Sequence, residues 1–216
     1  MIVILSKEPG QGGSYQIGTW EEPIFWVDME NRVKRTVDAY YSDKLITIKQ
    51  CLAYTKDFKE DHIKTLENVE DALKNISGFA TVGFDGIGDL RDIAHTKWCL
   101  KNKRKHAVNP GDWEEVNEVV RELLFPLINQ CRVQGLHLVM TAQFKDDYTT
   151  NSKGESNKSG RIPSLKEWMS YNVDTLITLR YEKPKYKAII TKSLIGCHEL
   201  DVTGKSLYDE LLLLGV

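Results

Sequence analysis

Lys7-Glu-Pro-Gly-Gln-Gly-Gly-Ser14 is the stretch on which the fold of this chain turns. The phosphate-binding template G-x-x-x-x-G-K-[ST] wraps backbone N–H groups around phosphates, sends a lysine to the β/γ oxygens and offers a hydroxyl to magnesium. Gly12 and Ser14 fit that template, whereas Gly13 stands at the lysine position and Lys7 at the first glycine. A glycine-rich turn between two elements would account for the same residues. Context favours the phosphate loop: Met1-Ile-Val-Ile-Leu5 is an apolar run of the kind that forms a buried strand, and such a loop needs a strand immediately upstream. Ser14 to Trp20 leaves room for a short helix before Glu21-Glu22-Pro23, since proline lacks an N–H and restricts its predecessor. An anion would sit at that helix's N-terminus, where N–H groups are free.

Outward from the loop, strand and helix patterns alternate. Pro23–Val27 and Lys44–Ile48 read as strands, and Ile63, Leu66, Val69, Leu73 and Ile76 recur at helical spacing. Phe79–Phe84 runs into Asp85, and a second helix spans Leu90 to Lys101. Asp112 is placed to cap a third, kinked at Pro126 and reaching Val133. Leu136–Met140 is a further strand, closing on Thr141-Ala-Gln143. Strands separated by helices imply crossover connections and a parallel sheet. Residues 145–163 are polar, without apolar period, and read as a long mobile loop. Val173–Leu179 and Tyr186–Thr191 flank a Lys-Pro turn as a hairpin, and Ser206–Leu214 forms a short docking helix.

With 216 residues and 41% hydrophobic content, the chain fits one domain, 1–216. Its net charge of −2 provides no global field for nucleic acid, so any such contact must be local. Cysteines 51, 99, 131 and 197 form no C-x-x-C pair, which points to free thiols in a reducing, cytoplasmic setting, and Cys197-His198 lacks a second pair at zinc spacing. No signal core is visible, nor any apolar run near the roughly 20 residues that a membrane helix needs. Trp98 to His106 is a basic run beside an aromatic, which could hold nucleic acid but more often marks a solvated helix end. The remaining tryptophans, 20, 26, 113 and 168, sit in apolar patterns as core or interface material.

Open parallel sheets bind ligands at the C-terminal ends of their strands. The glycine loop, Asp28 and Glu30, Asp85, and Gln143 all fall at such ends. Asp85 has the form of a Walker B acid that holds magnesium, or else caps the next helix. In the first case the glycine loop and Asp85 should be neighbours, with the first and fourth strands side by side. Glu30 could orient or deprotonate a water, and Gln143 could sense the γ-phosphate.

On Lys7–Ser14, Phe25–Glu30, Thr81–Leu90, Pro110–Trp113, Val139–Gln143 and Tyr186–Lys192, the chain resembles the RecA-like branch of P-loop ATPases. Within that branch it resembles small phage and archaeal-virus nucleotide-binding proteins similar to single-strand annealing proteins. The resemblance implies an α/β fold: a largely parallel sheet flanked by helices, extended by a C-terminal hairpin over 173–192. It implies ATP and Mg2+ as cofactors, with Pro9, Gly10, Gln11, Gly12, Gly13, Ser14 and Tyr15 on the nucleotide and Ser14 and Asp85 on the metal. Glu30 is then the base, Gln143 the switch, and Lys192 a finger donated across a subunit interface of a homo-oligomer. Single-stranded DNA is the implied partner, met by Lys153, Lys158 and Arg161, in viral or mobile-element recombination. Gly13 departs from the pattern. Losing a comparable electrostatic donor costs about 3 to 4 kcal/mol, so hydrolysis is expected to be weak or partner-dependent. Binding can survive on backbone N–H groups, with Lys7 as a conceivable substitute cation. The other expectation is a scaffold that has lost nucleotide altogether.

Overall fold

The computed structural model describes residues 1–150, 156–163 and 167–216, with side chains for 1–145 and 168–216. β1 (Ile2–Lys7) is buried along its whole length. Because successive side chains of a strand point to opposite faces, Ile2 and Ile4 enter one apolar layer while Val3 and Leu5 enter another. β2 (Ile24–Asp28) divides the same way, Phe25 and Val27 to the first layer, Ile24 and Trp26 to the second. Strands buried on both faces read as continuous apolar runs, which is why these two were legible.

β3 (Ile46–Gln50) lies at the edge and is only partly buried. β4 (Thr81–Asp85) pairs parallel with β2, which also pairs parallel with β3, and β5 (His137–Thr150) lies parallel between β4 and β1. α3 (His62–Leu73), α4 (Leu90–Asn102) and α5 (Pro110–Gln134) cover the first layer. α1 (Gly13–Ile17), α2 (Val33–Tyr40) and the C-terminal α7 (Leu207–Leu213) contribute Ile17, Val33, Leu207 and Leu211 to the second. α6 (Glu167–Asn172) precedes β7 (Thr175–Glu182), which pairs parallel with β1 and antiparallel with β8 (Lys185–Lys192). β9 (His198–Asp201) pairs with β8.

The strand order is β3-β2-β4-β5-β1-β7-β8-β9. The sheet is thus largely parallel and flanked by helices: the glutamine strand lies between the glycine-loop strand and the acid strand, and an antiparallel hairpin extends it. The expected side-by-side placement of the first and fourth strands is therefore wrong, since β5 separates them. Which strands pair is a long-range choice that local pattern does not encode.

Two further expectations change, and one open alternative is decided. Residues 145–163 do not form a loop throughout: the outer part of β5 pairs antiparallel with β6 (Ser156–Pro163), Phe144 opposite Pro163 and Thr150 opposite Ser156. A two-stranded ladder is held by backbone bonds and needs no apolar period, so the polar sequence concealed it. α5 continues through Pro126 to Gln134, and its N-cap is Asn109, with Asp112 returning the bond from the third position as a capping box. Trp98 is 3% exposed, its indole N–H donating to Glu115 at 2.7 Å, so its ring is unavailable to stack a base. No helix among the described residues is long and apolar enough to cross a membrane.

Candidate functional site

The chain leaves β1 at Lys7 and turns tightly, the Glu8 N–H donating to the Gln11 side chain and the Gln11 N–H to the Glu8 carbonyl. Gly12 then caps α1 in the left-handed region at φ 81°, a backbone conformation that glycine adopts freely and residues with a Cβ seldom do. With the loop so folded, Ser14 Oγ donates to Asp85 Oδ2 at 2.5 Å. The loop and the acid are thus neighbours although their strands are not. The residue that β5 places between them is Thr141, whose hydroxyl donates to the other Asp85 oxygen and accepts the Gly86 N–H. A short hydroxyl side chain lets the carboxylate reach across. Lys7 Nζ stands 3.5 Å from Asp85 Oδ1, both side chains almost fully buried.

A second pair lies beside the first. Gln143 Nε2 donates to Glu30 Oε1 at 2.9 Å, and Arg32, largely in solvent, approaches the other Glu30 oxygen at 3.6 Å. Asp28, fully buried at the end of β2, accepts the N–H groups of Glu30 and Val33 at 3.0 Å each, which fixes the turn carrying Glu30 and starts α2. Burial pushes the Asp28 carboxyl above the usual carboxylate range, against the lowering effect of the Val33, Glu30 and Arg32 N–H groups. Asp89, on the rim of the cleft beyond Glu30, is raised to about 6 by burial and then by Glu30, Asp92, Glu60 and Asp85.

A cavity of about 510 Å³ opens against the loop from Gly10 to Gln16, within the usual range for small-molecule sites. Its far walls are Thr36 and Tyr40 of α2, and Leu179, Tyr186 and Lys187 of the hairpin. Sequence reading missed these. α2 carries too few apolar residues to show a helical period, only Val33 being fully buried, and Tyr186 faces the loop solely through the sheet's order. Lys187 is held by ion pairs with Glu182 at 2.9 Å and Glu199 at 2.7 Å.

Of the expected site residues, Pro9–Tyr15, Glu30, Asp85 and Gln143 meet at one edge of the sheet. Lys192 does not join them. β8 runs antiparallel to β7, so Lys192 pairs with Leu176 at the opposite end, where its ammonium donates to the carbonyls of Ser170 at 2.5 Å and Val173 at 2.6 Å. Lys153 lies outside the described residues, and Lys158 and Arg161 are described only as backbone of β6.

The oxygen donors Ser14 and Asp85 suit magnesium, which is commonly held by one or two protein groups while substrate phosphates supply the rest. Among the described residues no group of three His, Cys, Asp or Glu side chains could hold a metal alone, so an ion here would depend on phosphate oxygens. The free thiols of Cys51 and Cys131 are buried and pushed up to about 12 by that burial, which leaves them unreactive.

No family model and no curated protein matches the chain. Among solved structures, a KaiC-like protein from hyperthermophilic archaea, Pyrococcus horikoshii OT3, is similar at 14% identity and a TM-score of 0.47, over 93% of this chain and 84% of that one. A likeness at this level carries no argument about what the chain does.

Proposed function

We propose that this chain binds ATP with magnesium at the Gly10–Ser14 loop and hydrolyses it weakly. The observation that supports this most is the bond between Ser14 and Asp85: a loop hydroxyl and a strand-end carboxylate from non-adjacent strands converge on one point beside a nucleotide-sized cavity. The loop amides and Ser14 hold phosphate, and Ser14 with Asp85 holds the metal, which when bound draws charge from the phosphate oxygens. Glu30 accepts a proton from the attacking water, and Gln143 fixes the direction of the Glu30 carboxylate. Asp28, through the Glu30 N–H, holds the turn in register. Titration calorimetry with ATP and magnesium tests the proposal. Micromolar to millimolar affinity that weakens on chelation is expected; no heat at millimolar ATP would leave the fold as an assembly scaffold.

The family resemblance supports a wider reading, in which the chain acts as a homo-oligomer on single-stranded DNA during viral or mobile-element recombination. Lys153, Lys158 and Arg161 then meet the strand and Lys192 acts on a neighbouring subunit. Fluorescence anisotropy with a labelled oligonucleotide checks the first part: alanine at all three positions should weaken binding and flatten its salt dependence. Turnover per subunit that stays constant on dilution would reject the second.

A further inference from the structure

Resting on the nucleotide reading above, we propose that Lys7 is the phosphate-binding cation of this loop, supplied from the end of β1 in place of the side chain that position 13 lacks. The two positions share one volume. A Cβ at position 13 would lie 2.3 Å from Lys7 Cδ, 2.7 Å from Cε and 3.2 Å from Nζ, so the first carbon of any side chain at 13 collides with the Lys7 stem. Glycine at 13 is therefore what admits Lys7, and Lys7 fills the space along which a residue-13 side chain would leave the backbone.

The placement follows from the strand. Lys7 is the last residue of β1, paired with Gln143 at the C-terminal edge. With period-two alternation its side chain shares the face of Val3 and Leu5, the face that α1 covers through Ile17. It is drawn under the start of α1 rather than into solvent, and the residue is 7% exposed. Lysine is seldom buried to this extent unless its charge is matched. Here the match is Asp85 Oδ1 at 3.5 Å, and Lys7 lines the cavity together with Gly10–Ser14. Neither Lys187, already held by two carboxylates, nor Lys192, at the opposite edge, is placed for the same task.

The test uses three ligands, ATP with magnesium, inorganic triphosphate and adenosine, on the full chain. Lys7→Met keeps the stem that packs on Gly13 and removes only the ammonium. It should weaken ATP and triphosphate binding by 10- to 100-fold and leave adenosine binding unchanged. The transposed pair Lys7→Gly with Gly13→Lys should restore most of the triphosphate affinity. A wild-type chain that binds ATP while Lys7→Met binds ATP and triphosphate equally well overturns the role of Lys7 alone. A wild-type chain that binds neither ATP nor triphosphate overturns the nucleotide reading and this one with it. Equal loss toward all three ligands, with a lowered melting temperature, would make Lys7 a structural counter-ion of Asp85 and also reject the proposal.

Discussion

Gln143 and Glu30 are hydrogen-bonded at 2.9 Å although β4 separates the strands that carry them. The contact forms over the end of β4, where the chain turns away at Gly86 with φ 96°. A Cβ there would stand 3.1 Å from Met29 Cβ, tighter than ordinary contact, so the bare backbone lets the turn that carries Glu30 lie close against it.

Glu30→Gln should remove the proton acceptor and keep the shape. Phosphate release is expected to fall by about 100- to 10,000-fold, the usual range for a general base, with ATP affinity little changed. An equal loss in affinity would assign Glu30 to binding instead.

Gly86→Ala tests this close approach. A non-glycine residue in this backbone region costs on the order of 1–3 kcal/mol, to which the close approach to Met29 adds. The urea midpoint should drop and turnover should fall with it. A variant as stable and active as the parent would show that the turn relaxes freely.

Asp85→Asn retains hydrogen-bonding groups beside Ser14 and Thr141 but removes the charge that a cation requires. Parent affinity for ATP should depend on magnesium, and the variant's should not. Calorimetry with and without chelator measures the difference, and an unaltered magnesium dependence would relocate the metal.

Two carboxyls favour the folded chain on mild acidification. Asp28 and Asp89 are both shifted upward by burial, Asp89 to about 6, so across the interval from their unfolded values near 4 to their folded values the native chain binds more protons than the unfolded one. Their share of the unfolding free energy therefore falls as pH rises from about 4 to 6, while His137, held below its usual range by burial and by the N-terminal ammonium, contributes oppositely below about 6.5. Asp112, lowered by the Val108 and Asn109 N–H groups and Arg104, acts oppositely and loses its contribution below about 4. Asp89 keeps an exposed face, and solvent screening limits its share to less than about 1 kcal/mol. Urea midpoints at pH 5 and 7.5 measure the balance, and Asp89→Asn should lower the pH 5 midpoint relative to the pH 7.5 one. The same pH dependence in parent and Asp89→Asn would contradict the assignment.

The parts of the fold legible beforehand were those whose side chains must satisfy a local rule. β1, β2 and β4 are buried on both faces and read as apolar runs; α3 shows its period in Leu66, Val69 and Leu73. α2 and β6 were not legible. One buries little beyond Val33, and the other is held by a ladder indifferent to side-chain polarity. At the site, Ser14, Glu30, Asp85 and Gln143 were readable because each follows a recognisable strand. Thr36, Tyr40 and Tyr186 follow no such signal and reach the cavity only through the packing of α2 and the hairpin.

The amino-acid order by itself determined which short segments become strands and which reactive groups stand at their ends, because burial and backbone geometry act over a few residues. Only the tertiary structure decided that β5 lies between the loop and its acid, that the Lys7 stem occupies the space beside Gly13, and that the reversal of β8 carries Lys192 to the far edge. Those outcomes depend on which strands pair and in which direction, a choice made by the whole core at once.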